Sequence, residues 1–329
     1  MTTSHDLNAT AYFNITLPYG FKYNGSFNYK WNDARATFKR YPSTAFSFSK
    51  NEIVYDKSDL SGTSANETNT NTYDWTVSTN LSWNKTYGKH DVSAIVGFEA
   101  FDYHYKYSYM SKYEFSNEIL SEFDNIINVN EVKGNSTSYS TAAVFGRASY
   151  AYDGRYMAEV NFRYDGSSRF ASESRWGFFP SVAGWRINKE PWMEDVTFID
   201  NLKLRASWGK LGNHSIGNYD YISRYSSGYN YVFGADVLTS GYIASLSNNA
   251  LEWETTTTTD IGLDFASFDN RLTFETDFYN KLTDGILANA ILSSSIGNKN
   301  PPKTNMYTML NRGIELTLGW KDSRGDFSY

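Results

Sequence analysis

The chain has 329 residues, a formal net charge of −6, no cysteine, and an aromatic content of 18% that includes 27 tyrosines and 9 tryptophans. The absence of cysteine excludes a disulfide framework, a thiolate metal site and a thiol nucleophile, and an acidic balance without a basic block argues against nucleic acid as a partner. A mean hydropathy of −0.54 and apolar runs far short of the roughly 20 residues of a membrane helix exclude a helical bundle. They do not exclude a barrel, whose strands need only about half their residues apolar.

The first alternating pair is Leu7 to Thr16 and Phe21 to Trp31, joined by the short turn Leu17-Pro18-Tyr19-Gly20. From Asn32 to Thr72 the chain is polar and rich in Asn, Ser and Thr, which predicts a large loop. Strands resume at Tyr73 to Trp83, with Trp75, Val77, Thr79, Leu81 and Trp83 on one face. A turn from Asn84 to His90 leads into Val92, Ala94, Val96, Phe98 and Ala100. That strand runs on through Tyr103, Tyr105, Tyr107 and Tyr109, projecting beyond a bilayer, and a second long loop is predicted from Ser111 to Ser138.

Val144 to Tyr152 and Tyr156 to Tyr164 flank Asp153-Gly154, the strongest short-range hairpin signal in the chain. Trp176 to Ile187 returns, interrupted by Pro180, which predicts a bulge or a loop rim. Asn188 to Asn201 is a longer connection with room for a helical turn. Leu202 to Gly209 follows, and then a Tyr-, Gly- and Ser-rich loop to about Asn249. Ile261 to Phe265, a turn from Ala266 to Arg271, Leu272 to Phe278, a loop with Pro301-Pro302, and Ile314 to Trp320 complete the pattern. Lys321 to Gly325 turns once more.

Successive side chains of a strand fall on opposite faces. Leu202, Leu204, Ala206 and Trp208 therefore point one way, while Lys203, Arg205 and Ser207 point the other. A soluble sandwich would bury the apolar side beneath a second sheet, whereas a membrane barrel turns it to lipid and keeps the charged side in a wet interior. Short turns alternate with long loops along the chain, which is the sorting of an outer-membrane barrel.

Three stretches resemble one family. They are RYDGSSRF, RWGFFPSVAGWRI, NLKLRASWGKLGN and IGNY between Phe162 and Tyr219; LEWETTTTTDIGLDFASFDNRLTFETDFYNKLTDGIL from Leu251 to Leu287 with NRGIELTLGW from Asn311 to Trp320; and, more loosely, HDVSAIVGF from His90 to Phe98. In this order and spacing the chain resembles the SusC/RagA-type TonB-dependent transporters of the Bacteroidetes outer membrane.

The resemblance implies an all-β, antiparallel transmembrane β-barrel of about 22 strands with a plugged lumen. About half of those strands fall within residues 1–329, which read as a partial barrel domain. The N-terminal extension, TonB box, plug domain and closing strands lie outside it. An initiating Met1 with no signal segment points to a fragment. The resemblance also implies import of oligosaccharide or peptide across the bacterial outer membrane. The implied partners are a SusD-like surface lipoprotein, outer-membrane lipid and the TonB-ExbB-ExbD complex, the last engaged through the absent N-terminal segments. No cofactor is implied. The alternatives are a barrel receptor for a metal chelate or cobalamin, and a soluble extracellular carbohydrate-binding or adhesin β-protein.

Candidate chemistry is sparse, and no catalytic residue is assigned. His5, His90, His104 and His214 show no ligand spacing. Asp260 with Asp264, and Glu275 with Asp277, read as lumen-lining charge rather than glycosidase acids. Asp165 to Arg169 reads as a loop, since no helix follows to make a phosphate cradle. Arg324-Gly325-Asp326 reads as a hairpin turn. Trp83, Trp208 and Trp320 are assigned to interface belts. The candidate substrate-binding residues are the loop tyrosines Tyr219, Tyr221, Tyr225, Tyr229 and Tyr231, accompanied by Phe233, which could stack on cargo.

Overall fold

The structure, a computed structural model, describes residues 1–41, 43–57, 62–116, 122–187, 193, 196–234, 236–293, 295, 300–324 and 327–328. Eleven strands join in one sheet: β1 (Thr2–Thr16), β2 (Phe21–Arg40), β5 (Ser64–Tyr87), β6 (His90–Phe115), β7 (Ile126–Tyr152), β8 (Tyr156–Ser167), β9 (Trp176–Ile187), β10 (Ile199–Asn213), β13 (Glu254–Ser267), β14 (Leu272–Asn289) and β15 (Lys303–Trp320). Their order in the sheet is their order in the chain. Three hairpins stand apart from it: β3 (Ser43–Ser47) with β4 (Glu52–Lys57), β11 (Arg224–Phe233) with β12 (Asp236–Ser245), and β16 (Ser323–Arg324) with β17 (Phe327–Ser328). An antiparallel meander needs no crossover, so each new strand pairs with the one just made.

Local chemistry fixes the turns. Asp153 and Gly154 take φ of 54° and 62°, the left-handed pair that matches strand twist in a two-residue hairpin. Pro18–Gly20 makes a single 3-10 turn with Tyr19 at φ 63°. Phe268, Asp269 and Asn270 all take φ near 60°, which closes β13 onto β14 in four residues.

The predicted loops are the main correction. Asn32 to Thr72 is not one loop: β2 runs on to Arg40, β3 and β4 form a hairpin, and β5 begins at Ser64. Ser111 to Ser138 is likewise mostly strand, with β6 reaching Phe115 and β7 starting at Ile126 after a 3-10 turn at Phe123–Asn125. The loop predicted up to Asn249 contains β11 and β12. In the first of these segments Asn, Asp, Arg and Glu side chains make both faces polar, so the apolar period that marks a strand is missing while the backbone ladder is present. Residues 188–192 and 194–195, where a helical turn was expected, lie outside the described residues, as do Gly325 and Asp326 of the Arg-Gly-Asp turn.

The chain divides into two compact units. The first comprises Met1–Ala11, Ser26–Val77 and Phe101–Tyr139. Side-chain amides and ions hold its strands together: Asn28 donates to Asn8 and Thr10, Asn32 to Ser4 and Asp6, Asn71 to Asp33, and Arg35 reaches Glu67 at 2.5 Å. Cross-strand pairs of this kind each contribute roughly 0.2–1 kcal/mol. A small core of Ala65, Phe115 and Ile126, with Phe123 against it, closes one end.

The second unit comprises Tyr12–Gly25, Ser78–Ala100 and Ser140–Tyr329. Its register builds apolar rows across four strands. Leu202, Phe265, Phe274 and Leu318 lie side by side; so do Leu204, Leu263, Thr276 and Leu316, and then Ala206, Ile261, Phe278 and Ile314. No second layer covers these rows among the described residues. Leu204 is 54% exposed, Leu316 69% and Leu318 74%. In water such a surface would be an aggregation site. In a bilayer it is the lipid-facing band.

Candidate functional site

The opposite face of the second unit is charged and internally paired. Arg205 of β10 lies opposite Gly262 of β13, which in turn lies opposite Asp277 of β14. With no side chain at Gly262, the guanidinium crosses β13 directly, and Nη1 reaches Asp277 at 2.7 Å while Nε reaches Asp264 at 3.0 Å. Asp260 stands 3.7 Å from the same group, and Lys203 is 3.4 Å from Asp264. A Cβ at Gly262 would overlap both the Asp277 carboxylate and the Arg205 guanidinium. Further round the sheet, Arg163 meets Asp165 at 2.8 Å and Glu99 at 3.8 Å, and Arg147 lies 3.7 Å from Glu159. Asp260, Asp264 and Asp277, three of the four carboxylates paired in the sequence, thus gather around the one guanidinium of Arg205.

Aromatic side chains frame the apolar rows. At the loop end Tyr164 stacks on Trp176 with centroids 5.0 Å apart, and Trp208 of β10 is exposed in the row of Val160 and Val182. At the turn end Trp320 is exposed and Arg186 sits over the Tyr156 ring at 5.5 Å. Trp83 donates its indole N–H to the Tyr19 carbonyl at 3.1 Å. Amphipathic rings at both edges of an apolar band are the girdles of a membrane barrel.

The loop ends of β8, β10 and β13 are packed together. Ser167 lies 3.1 Å from His214 Nδ1, and Arg169 donates to Asn218 at 3.0 Å and to the His214 carbonyl at 3.4 Å. Beneath them Phe170, Ile216 and Leu251 form a buried cluster, with Tyr221, Trp253 and Leu287 packed on it. The RYDGSSRF segment is therefore a structural clasp.

The whole of residues 2–329 matches a family model described as "TonB dependent receptor-like, beta-barrel". The chain belongs to that family. It is similar to TonB-dependent receptor P39 of Formosa agariphila, with 34% identity over 260 residues that make up 77% of this chain and 24% of the relative. It is also similar to TonB-dependent receptor SusC of Bacteroides thetaiotaomicron, at 36% identity over 208 residues, 59% of this chain and 20% of that protein. The chain thus spans between a fifth and a quarter of the length of these curated relatives. Its fold follows the RagAB peptide transporter with a TM-score of 0.84 and 24% identity, over 98% of this chain and 35% of that one. The ferric-catecholate receptor Fiu of E. coli K12 is more distant, with a TM-score of 0.54 and 11% identity. Within the TonB-dependent receptor barrels the chain is of the SusC/RagA type, an outer-membrane β-barrel protein.

In this TonB-dependent receptor barrel three of the five candidate tyrosines have described side chains, and these three stand in different settings. Tyr221 packs on the buried Phe170 cluster and serves the loop fold. Tyr219 takes φ 66° at a turn whose carbonyl accepts the Ile222 N–H, and Tyr225 is largely exposed on β11. Tyr229 and Tyr231 belong to β11, opposite Ser240 and Leu238 in register, and their side chains lie outside the described ones, as does that of Phe233. Sequence reading missed Arg205 as the hub of the carboxylates, because the hub is defined by register across three strands. The one local hint was a glycine between two aspartates in a strand.

Of the histidines, His90 Nδ1 lies 2.7 Å from the Tyr150 hydroxyl, and His104 pairs with Asp102 at 2.7 Å and stacks on Tyr73. His214, beyond the end of β10, has its pKa lowered by burial and then by the Arg169 charge. The folded clasp therefore favours the neutral ring, and its contribution is complete above the ordinary histidine value of about 6.5 and lost as the pH falls through the lowered folded value. The amide protection factors of residues 214–222, with the intrinsic pH dependence of exchange divided out, are expected to fall between pH 7.5 and pH 5, and His214→Asn is expected to abolish that fall. Equal protection factors at both pH values in the native protein would refute the coupling.

Proposed function

We propose that this chain supplies wall strands, as residues 1–329 of a barrel domain, to an outer-membrane importer of oligosaccharides or peptides. The importer is energised by the TonB-ExbB-ExbD complex and works with a SusD-like surface lipoprotein. The observation that carries this reading is the pair of faces: exposed leucine rows ringed by aromatics on one side, and a face of mutually paired arginines and aspartates on the other. The first suits acyl chains and the second a wet interior. Similarity to SusC and to the RagAB fold supports cargo of the glycan or peptide class over a metal chelate, since the fold match to the ferric-catecholate receptor Fiu is weaker. The work of the chain in this reading is binding and passage rather than bond chemistry, in keeping with the TonB-dependent receptors it is similar to.

The test is uptake in host cells carrying the full-length gene and its neighbours. Deletion of the gene is expected to abolish accumulation of an oligosaccharide or a peptide from a defined panel, and loss of TonB is expected to do the same. Unchanged uptake of both panels in the deletion strain would overturn the import reading. A defect confined to metal chelates would replace it with the chelate-receptor alternative. The full-length product is also expected in the membrane fraction, with faster gel mobility before boiling than after; recovery as a detergent-free soluble monomer would sink the barrel reading.

A further inference from the structure

The ladder between β9 and β10 stops early. Their pairing ends at Ser181 opposite Gly209, although β8 stays paired with β9 as far as Gly166 and Trp176, and β10 with β13 as far as Asn213 and Glu254. Pro180 stands at the break and has no N–H to offer β10. It makes no bulge, because the β8 register runs through Phe162 and Pro180 without a shift. Of the two readings the sequence left open, a bulge or a loop rim, the bulge is replaced by a parting of two strands. The Phe179 ring leans into the space over Gly177 and Gly212, where a Cβ on either glycine would overlap it, and meets Trp253 edge-on at 5.3 Å.

Next to that ring is a cavity of about 510 Å³. Ser181, Ala183, Ser207 and Gly209 form part of its lining, and their small side chains leave the room that larger ones would fill. Ser181, Ala183 and Ser207 share the face of Arg205 and Glu159 by register, so the cavity belongs to the polar side of the sheet. Asn161 and Thr258 add an amide and a hydroxyl, while Phe179 and Leu211 add apolar sides. Two cations touch it. Lys210 shares the face of Trp208 by alternation along β10 and so belongs to the other side of the sheet, while Arg163, on the polar side, is held by Asp165 at 2.8 Å and stands 3.8 Å from Glu99. On the polar side no cation is left over from that group to neutralise a carboxylate or sulfate.

We propose that this cavity is a cargo subsite for one unit of an uncharged oligosaccharide. Hydroxyl and amide groups beside an aromatic and an aliphatic side chain suit a sugar ring, which has apolar C–H faces and a rim of hydroxyls. The volume falls in the range of small-molecule sites, roughly 300–1,000 Å³. The committed Arg163 disfavours uronic or sulfated units, whose charge would be desolvated without a partner. The proposal rests on the import reading and adds to it a place on the wall and a charge class.

The experiment uses the purified full-length protein on an array of neutral oligosaccharides, uronic and sulfated oligosaccharides, and peptides. Ser207→Trp and Ala183→Trp fill the cavity; Ala206→Trp, on the lipid-facing side, is the control. Heat-modifiable gel mobility confirms that each variant is folded. At least one neutral oligosaccharide is expected to bind, to weaken at least tenfold in both cavity-filling variants, and to be unaffected by Ala206→Trp. Neutral binding that survives both cavity-filling variants would place cargo elsewhere and overturn the subsite while leaving import intact. Capture of only charged glycans or only peptides would overturn the uncharged-sugar class. Failure of every probe to bind, together with unchanged uptake in the deletion strain, would remove the import reading itself.

Discussion

Leu316→Arg is expected to destabilise the lipid-embedded protein by roughly 2–4 kcal/mol, the cost of a cation on the lipid face near the middle of a bilayer. Leu316 lies within the apolar rows, beside Thr276 of β14, and is 69% exposed, so it has little protein packing to lose. In water an arginine at so exposed a position would cost close to nothing. The whole penalty therefore reports the solvent that the face meets. Glu315, the next residue, lies opposite Asp277 on the other face, and Glu315→Gln is expected to change stability by less than about 1 kcal/mol. Denaturant unfolding of the full-length protein from phospholipid vesicles, followed by tryptophan fluorescence and gel mobility, measures both. Equal small effects at 315 and 316 would mean that the leucine rows do not face lipid.

The second large effect is expected at Arg205. Removing it leaves Asp260, Asp264 and Asp277 close together with their shared cation gone. Breaking a fully buried ion pair costs about 3–5 kcal/mol. Here the Arg205 side chain is 31% exposed, and water in the barrel screens part of the repulsion, so Arg205→Ala is expected to cost roughly 1–3 kcal/mol. Gly262→Ala is expected to cost a similar amount by a different route, because its methyl group occupies the path of the guanidinium across β13. If both act through the one bridge, the double variant is expected to be no worse than the poorer single variant, with a coupling of at least about 0.5 kcal/mol in a double-mutant cycle. Strictly additive losses would show that Gly262 has some other role.

These two sites also mark how far the chain could be read. The parity of Leu316 and Glu315 follows from the period of two and is visible in the alternation of Ile314, Leu316 and Leu318 with Glu315 and Thr317. The Asp153-Gly154 hairpin and both limits of β9 were legible for the same reason: each depends on residues adjacent in the chain. The strands between Asn32 and Thr72 were not legible, because Asn28, Asn32, Arg35, Asn69 and Asn71 make both faces polar and leave no period to detect. Pro180 pointed to an irregularity, yet whether β9 would bulge or part from β10 depended on a strand some twenty residues away. Tyr221 carried the same composition signal as Tyr225, and only packing against Phe170, Ile216 and Leu251 separates a loop-core residue from an exposed one.

By itself the sequence determined which side chains share a face and where the chain turns back, since both are set by local backbone geometry. The family resemblance followed from the order of those same segments. Tertiary structure alone decided that Leu204, Leu316 and Leu318 stay exposed among the described residues, that Arg205 reaches Asp277 through the gap at Gly262, and that a cavity opens where β9 leaves β10. Exposure and cross-strand partnership belong to residues brought together from distant parts of the chain, so no local pattern contains them.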